Sequence, residues 1–260
     1  MYKLHATGNL YKANNENIFT NNKSYIFSKL LENVINICVG YIRSNMNINY
    51  LHSIYLRGSC ADRDLKKNNV FDLDINVVFE DDKLRHEILN EKYKKEIIDQ
   101  MQKKYNFFIY PDIAYFSKPL WVTDPTCLIN RFFAKKIYGQ EDLSVNQIHL
   151  NKLVEFHTEI YDYDFDYFMG INLIKDKSDT LRIIKRFYRS FGIIELLNNK
   201  LYSRDIYYCH NALVNNYPKQ ANSLNKFINI FLNPKDCNNL EFFKPTINSL
   251  YEQINKNMKV

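Results

Sequence analysis

The sequence predicts an α+β domain followed by an all-helical domain. Segments typical of β-strands mix with helical segments in the first half of the chain, whereas helical spacing dominates the second half. A length of 260 residues accommodates two domains of modest size. We place the boundary after residue 145, which gives an N-terminal domain with a mixed sheet over residues 1–145 and a helical domain over residues 146–260.

The composition is typical of a soluble globular protein. Hydrophobic residues make up 46% and charged residues 25% of the chain, which excludes disorder as its main state. The first residues lack the apolar core of a signal peptide, and charges interrupt the apolar stretch over residues 26–42, so we expect no membrane span. Five cysteines are scattered without a CxxC pair, which indicates a reduced, cytoplasmic protein.

Two helices are predicted before Asp124. Residues 1–20 are polar and are expected to be irregular. From Asn22 to about Met46 apolar residues recur at helical spacing. The segment from Asp82 to Tyr105 is rich in lysine and glutamate and is predicted to form the second helix.

Three segments of the first domain have the residues of β-strands. A short strand runs from Ser53 to Gly58, and Phe71–Phe79 is rich in β-branched and aromatic residues. The third strand covers Asn106–Ser117 and contains Pro111. Because proline has no backbone N–H to donate, we expect this strand to lie at a sheet edge or to carry a bulge.

A helix start signal opens the second half of the chain. Asp124 suits the N-cap position, and Pro125 suits the first helical position. The predicted helices are Pro125–Tyr138, Asn146–Ile174, Ser178–Asn198, Ser203–Asn215, Pro218–Leu232 and Lys244–Met258.

Residues suited to phosphate and metal chemistry lie between the first two strands and on the second. Gly58 lets a bulky ligand approach the backbone, and Ser59 with the following turn offers a hydroxyl and N–H groups to a phosphate. After a spacer of twelve residues, Cys60 to Phe71, Asp72 and Asp74 lie on one strand, where alternation directs both side chains to the same face. Two carboxylates in an apolar strand need neutralisation, and Mg²⁺ suits them.

Asp112 lies on the third predicted strand. If that strand pairs beside the strand of Asp72, a third carboxylate joins the pair as a metal ligand or as the base for an attacking hydroxyl. The alternative is an acidic pair on the solvent face of a surface strand. The apolar neighbours favour a buried strand and a catalytic role, namely Phe71, Leu73, Ile75, Val77 and Val78.

The order Gly58-Ser59, spacer, Asp72-Leu73-Asp74 resembles the signature of the nucleotidyltransferase (DNA polymerase β-like) superfamily. The segment Ile137–Leu143 is similar to the end of the helix that follows the catalytic domain in that superfamily. The region Leu181–Pro218 resembles the helical C-terminal domain of aminoglycoside 3''(9)-adenylyltransferases.

The resemblance implies a site for a nucleoside triphosphate, ATP as co-substrate, and two Mg²⁺ ions. In that family the triphosphate binds between the two domains, and its nucleoside monophosphate passes to a substrate hydroxyl. By motif, Asp72 and Asp74 would hold the metal, and Gly58 and Ser59 would bind the phosphates.

Basic residues of the helical domain are implied to hold the triphosphate. Arg204, within Ser-Arg-Asp, occupies a position where lysine is usual, and arginine can bind phosphate bidentately. A second basic residue is expected on the Ser178–Asn198 helix, where Lys185, Arg186 and Arg189 are the candidates.

The base that the resemblance implies is a glutamate on the third strand. This chain has Asp112 there, directly after Pro111. Either Asp112 or another acid such as Glu80 would then take the proton of the acceptor hydroxyl.

One segment, Glu155–Phe168, is dense in acidic and aromatic residues. Carboxylates bind ammonium groups and aromatic faces attract cations, so Glu155, Glu159 and Asp162 are candidates to bind a cationic acceptor. The alternative interpretation is a helix with one solvated acidic face.

The sequence therefore predicts a Mg²⁺-dependent nucleotidyltransferase that acts on a small hydroxylated acceptor, such as an aminoglycoside in antibiotic resistance. A net charge of +6 and four lysine pairs in the first half favour RNA as an alternative acceptor, although they also fit a solvated surface. A protein acceptor is compatible with the same residues, and so is a non-catalytic nucleotide-binding or regulatory module. We expect a monomer or weak dimer.

Overall fold

The computed structural model describes residues 4–6, 8–21, 27–46, 48–58, 60, 71–81, 91–105, 109–171, 177–233 and 243–258. The chain divides into two compact units. Residues 21–147 form one of them, here called the sheet unit, and residues 1–20 together with residues 148–260 form the other, here called the helical unit.

Strands and helices mix in the first part of the chain and helices dominate the second, which confirms the predicted fold class. In chain order the elements are β1 (Tyr11–Lys12), β2 (Ile18–Thr20), α1 (Lys29–Asn45), β3 (Leu51–Arg57), β4 (Phe71–Phe79), α2 (Glu91–Tyr105), β5 (Ile109–Ser117), α3 (Lys118–Thr123), α4 (Pro125–Phe133), β6 (Lys135–Gly139), β7 (Gln147–His149), α5 (Leu150–Gly170), α6 (Lys177–Asn198), β8 (Leu201–Tyr202), α7 (Ile206–Asn216), α8 (Ala221–Leu232) and α9 (Lys244–Asn257).

The sheet unit contains a mixed sheet with the strand order β5-β4-β3-β6. Strands β4 and β5 are parallel, whereas β3 is antiparallel to both β4 and β6. The strand that carries Pro111 lies at an edge of the sheet, as its missing N–H donor predicted. The expected pairing of the Asp112 strand beside the Asp72 strand is also confirmed.

Alternation along β4 gives the sheet two different faces. Leu73, Ile75 and Val77 are fully buried and pack into one hydrophobic cluster with α1. Val78, on the opposite face, packs into a second cluster with Trp121 of α3. Since side chains alternate along a strand, Asp74 and Asn76 belong to the face of Val78.

The prediction of a helix over Pro125–Tyr138 was wrong in its second half. Helix α4 ends at Phe133, where the backbone N–H of Ala134 donates to the carbonyl of Asn130 at 2.8 Å. Strand β6 follows and pairs with the otherwise open edge of β3. The pairing partner of β6 lies some 80 residues earlier in the chain, and local helical spacing carries no information about it. Helix α3, capped by Ser117, was not predicted.

Helix α6 is the centre of the helical unit. Its residues Ile184, Phe187, Tyr188 and Phe191 are fully buried, and the ring of Phe187 lies against that of Phe227 of α8 at 5.1 Å. Helices α5 and α7 begin several residues after their predicted starts, because short strands and capping residues precede them. Residues 22–26 and 82–90 of two predicted helices lie outside the described residues.

The prediction that residues 1–20 are irregular missed two short strands, β1 and β2, which belong to the helical unit. Strand β1 pairs with β8, and strand β2 pairs with β7. The N–H of Ala13 donates to the carbonyl of Lys200 at 3.0 Å. The prediction that residues 1–20 belong with the N-terminal domain therefore differs from the structure, since their hydrogen-bond partners come from the distant end of the sequence. No helix within the described ranges combines the length and apolarity needed to cross a membrane.

Candidate active site

Three charged residues form a row across three neighbouring strands. Arg57, the last residue of β3, is directly opposite Asp74 of β4, and Asp74 is in register with Asp112 of β5. Residues paired in this way have neighbouring side chains on one face of a sheet. The strand register thus brings together two of the three predicted acids.

Arg57 contacts both carboxylates. One terminal nitrogen of its guanidinium group, Nη2, lies 3.8 Å from Oδ1 of Asp74 and 3.3 Å from Oδ2 of Asp112. Its Nε donates to Oδ1 of Asn76 at 3.0 Å. Asn76 is fully buried, so a fixed amide holds the arginine in place beside the acids.

Gly58 follows Arg57 and has a backbone φ of +69°, a conformation that side chains disfavour. A Cβ atom at this position would lie 1.7 Å from Oδ2 of Asp74. The carboxylate therefore occupies the space directly over the Gly58 backbone. This contact explains physically why the chain has glycine at the end of β3.

The donor set of this site suits a hard divalent cation. Side-chain exposure rises from 20% at Asp74 to 63% at Asp112, so the pair is open to solvent on one side. Carboxylate oxygens are the ligands that Mg²⁺ prefers, and the guanidinium group of Arg57 already places a positive charge against both acids. The described residues supply two acids only, and no group of three or more His, Cys, Asp or Glu side chains among them could hold a metal ion.

The other residues predicted for the nucleotide and metal site are only partly described. Asp72 lies in β4 in register with Tyr110, and its side chain is outside the described residues, as is the whole of Ser59. Glu80, the alternative base, lies six residues beyond Asp74, which corresponds to about 20 Å along the strand. There it pairs with Lys118 at 3.7 Å, away from the acid pair.

Arg204 lies in the helical unit, on the loop between β8 and α7. Its side chain is exposed, and its carbonyl accepts a hydrogen bond from Nε of Arg189 at 3.1 Å. The residues on either side fix the loop: Ser203 donates to the carbonyl of Asn9 at 2.6 Å, and Asp205 caps α7. The structure thus brings Arg189 of α6 beside a fixed loop that carries Arg204.

Arg186 is engaged elsewhere in the helical unit. Its Nε and Nη2 lie 2.6 and 2.5 Å from Oδ1 of Asp164, and its guanidinium group lies 4.2 Å above the centre of the Tyr167 ring. Burial raises the pKa of the Asp164 carboxyl, while the arginine favours its charged form. The structure therefore gives Arg186 a partner inside the helical unit.

The acids of the segment Glu155–Phe168 separate onto two faces of α5. Glu155, Glu159, Asp162 and Asp166 are exposed, whereas Asp164 is buried against α6. The spacing of the exposed acids places them in a single stripe along the helix, here called the acidic stripe. Tyr251 donates to Asp162 of this stripe at 2.9 Å.

The structure resembles that of spectinomycin adenyltransferase AAD(9) from Enterococcus faecialis, solved with ATP and spectinomycin. The TM-score is 0.52 at 17% sequence identity, and the match covers 88% of this chain and 99% of that chain. The chain has a nucleotidyltransferase-like fold. At this identity the likeness concerns the fold, and the chemistry depends on the residues of the site.

Two further solved structures match about half of this chain. A toxin–antitoxin structure with AMP-PNP and a toxin–antitoxin MntA-HpeT mutant each cover 52% of this chain and 98% of their own, at 17% and 16% identity. Their TM-scores of 0.30 and 0.29 are too low to support an argument. No family model matches the sequence, and no curated protein matches it either.

The sequence did not indicate two residues of this candidate site. Arg57 is a charged residue directly after three apolar residues, which is a signal, but its contact with both acids depends on the register of β3 against β4. Asn76 follows the Asp-Leu-Asp motif at the same alternation and is the next residue on that face. Its hydrogen bond from Arg57, which depends on the folded structure, is what links Asn76 to the acid pair.

Proposed function

We propose that this protein is a Mg²⁺-dependent nucleotidyltransferase that moves a nucleoside monophosphate from ATP to a hydroxyl group of a small acceptor. The observation that supports the proposal is the row Arg57, Asp74 and Asp112, which lies beside the Gly58 turn in a sheet of nucleotidyltransferase-like fold. In this assignment the sheet unit is the catalytic domain. The helical unit contributes residues that bind the nucleotide and the acceptor.

Asp72 and Asp74 are the proposed metal ligands, with Asp112 as a third ligand or as the base. Asp74 is held against the backbone of Gly58 and beside Arg57, so its carboxylate has little freedom to turn. Bound Mg²⁺ would neutralise negative charge on the phosphate oxygens, and a second ion would do the same for the leaving group. Asp72 and Asp74, with Asp112 as the candidate third ligand, would supply the carboxylate oxygens that hold these ions.

Asp112 is well placed to act on the acceptor because it is the more exposed of the two described acids. In the proposed reaction the acceptor oxygen attacks the α-phosphorus of ATP, and the bond from that phosphorus to the bridging oxygen of the β-phosphate breaks. The hydroxyl proton passes to Asp112, and pyrophosphate leaves. The chain contributes mainly positioning and charge neutralisation to this displacement.

Backbone and basic groups would hold the triphosphate. Gly58 lacks the Cβ that would block access to the turn, and we assign Ser59 to a phosphate contact on the basis of the sequence motif. Arg204 is assigned to the triphosphate because its side chain is exposed while the loop around it is fixed. Arg189 supports that loop through the Arg204 carbonyl.

The proposed acceptor is a cationic, hydroxylated small molecule such as an aminoglycoside. Two observations support it: the structure of similar fold was solved with spectinomycin, and the acidic stripe offers Glu155, Glu159 and Asp162 as exposed carboxylates on one helix face. Carboxylates attract ammonium groups, whereas they repel the phosphates of an RNA acceptor.

Incubation with α-labelled ATP, Mg²⁺ and a panel of acceptors tests the reaction. We expect label to pass to an amino-sugar acceptor, and Asp74→Asn to lower the rate by about 100-fold or more, since a catalytic metal contributes several kcal/mol and about 1.4 kcal/mol is tenfold. Asp99→Asn, an exposed acid on α2, is the matched control and should react normally. Equal rates for Asp74→Asn and the unmodified protein would refute the assignment.

A second set of variants tests the acceptor. Glu155→Gln, Glu159→Gln and Asp162→Asn should each weaken binding of the amino sugar, while ATP affinity stays unchanged. An RNA acceptor would instead lose affinity steeply as salt concentration rises. Unchanged acceptor affinity in all three variants would remove the support for a cationic acceptor.

A further inference from the structure

Arg57 occupies the position in which a cation would neutralise the acid pair. Its Nη2 lies within 4 Å of carboxylate oxygens from both Asp74 and Asp112, at 3.8 and 3.3 Å. A divalent ion bound between the same oxygens would lie within a few ångströms of this guanidinium group. At that distance the positive charge of the guanidinium group would repel the ion.

The arginine is held in this position from its other side. Nε of Arg57 donates to the side-chain oxygen of Asn76, which is fully buried on β4. One edge of the guanidinium group is thereby fixed, and the terminal nitrogen is directed to the carboxylates. The side chain of Arg57 is 25% exposed, so it also has solvent on one side into which it can move.

We propose that Arg57 is an internal counter-ion that competes with a divalent cation for Asp74 and Asp112. Without metal, the guanidinium group neutralises both carboxylates and keeps them close together in register. Metal binding at these oxygens requires Arg57 to leave them. This inference rests on the proposed function, because it concerns the same acid pair, and it adds a residue that sets the strength of metal binding.

Binding of Mn²⁺, measured by the loss of the free-ion signal in electron paramagnetic resonance, tests the competition directly. Arg57→Gln should bind Mn²⁺ about tenfold more tightly or better, because a positive charge a few ångströms from the ion is removed. Arg57→Lys keeps the charge and should stay within about threefold of the unmodified protein on the same argument. Arg43→Gln is the matched control: it removes an exposed arginine from α1 of the same unit and should change nothing.

Thermal unfolding with and without Mn²⁺ gives a second measurement that does not depend on activity. Without metal, Arg57→Gln should unfold at a lower temperature, because two adjacent carboxylates lose their counter-ion. Added Mn²⁺ should raise the unfolding temperature of Arg57→Gln by more than it raises that of the unmodified protein or of Arg43→Gln.

The outcomes separate this inference from the function on which it rests. Equal Mn²⁺ affinity in Arg57→Gln and the unmodified protein, or weaker affinity in the variant, would overturn the competition and leave the metal site in place. Absence of Mn²⁺ binding in every variant would overturn the metal site and the competition together. Tighter binding in Arg57→Gln alone supports both.

Discussion

Gly58 and Asp74 touch so closely that the carboxylate of Asp74 lies where any other residue at position 58 would have its Cβ. The hypothetical atom would lie 1.7 Å from Oδ2 of Asp74. Because β3 ends at Arg57 and turns immediately, the backbone of the turn and the acid of the neighbouring strand form one structural element. A change in either residue should therefore alter both the stability of the fold and the rate of the proposed reaction.

Gly58→Ala should lower the free energy of unfolding by about 2 kcal/mol or more. The positive φ costs a non-glycine residue about 1–2 kcal/mol, and displacement of Asp74 adds to it. Urea denaturation measures the effect. Gly40→Ala is the control, because Gly40 lies exposed in α1 with no atom near its added Cβ; it should gain about 0.5–1 kcal/mol. Equal stability of both variants would contradict the contact with Asp74.

Asp112→Asn distinguishes the two proposed roles of Asp112. If Asp112 is the base, the variant should lose about 100-fold or more in rate and keep its affinity for Mg²⁺–ATP. If Asp112 is a metal ligand, the affinity should fall with the rate. Calorimetric titration of Mg²⁺–ATP and single-turnover rates on the same preparation separate these results. A normal rate would assign the base to an acid outside the described residues.

Arg204→Ala should weaken ATP binding by about 10- to 100-fold, since a lost charge-assisted hydrogen bond costs about 1.5–3 kcal/mol. Binding of AMP should change much less, because AMP lacks the outer phosphates. Arg182→Ala is the control: Arg182 is an exposed arginine on α6 that pairs with Asp179 at 2.6 Å. Calorimetry that gives equal ATP affinities for both variants would remove Arg204 from the nucleotide site.

Asp164→Ala should destabilise the fold by about 3 kcal/mol, because it leaves the charge of Arg186 without its buried partner. Asp164 is 2% exposed, and both Nε and Nη2 of Arg186 contact it. Asp166→Ala, at an exposed position of the same helix, should stay within about 0.5 kcal/mol. Urea denaturation of the two variants compares them. A small effect at Asp164 would make Arg186 a candidate for nucleotide binding again.

The stability of the helical unit should depend on pH through His157. Burial, with a smaller contribution from the charge of Arg204, lowers the pKa of His157 to about 3. The unfolded chain takes up the proton near pH 6.5 and the folded chain only near pH 3, so this contribution to stability is complete above pH 6.5 and is lost as the pH falls towards 3.

His157→Gln should make the fall in unfolding free energy below pH 6 shallower by about 1.4 kcal/mol per pH unit. Tyr202→Phe is the control, since it removes the hydroxyl that lies 3.1 Å from Nε2 of His157 and leaves the imidazole in place. Denaturation curves between pH 4 and 7 provide the measurement. Identical slopes for His157→Gln and the unmodified protein would contradict the low pKa.

Local sequence signals predicted most of the sheet unit and about half of the residues of its candidate site. The alternating apolar residues of β4 predicted that strand, and the proline of β5 predicted that β5 lies at a sheet edge. Both predictions follow from the chemistry of a few adjacent residues. The acids Asp74 and Asp112 were found in the same way. The parallel register of the two strands then places them beside each other on neighbouring strands.

Features that depend on distant pairing were not predictable in this way. Arg57 became part of the site through the antiparallel register of β3 and β4, and β6 became a strand because β3 had an open edge. A residue preference acts over a few neighbours, whereas these contacts depend on which segments meet in the folded chain. The resemblance of Ile137–Leu143 to a helix end failed for this reason, since Ile137, Tyr138 and Gly139 belong to β6.

The pairing of the first residues with the Ser203–Asp205 loop has a consequence for the order in which the protein folds during synthesis. The groups that bind Gly8 and Asn9 come 197 and 194 residues later in the chain. At about 5–20 residues per second, a ribosome needs roughly 10–40 s to produce them. The sheet unit is one continuous segment that is finished within that interval, so it can acquire its structure first. The strand made earliest, β1, can then join its partner only after β8 has left the ribosome.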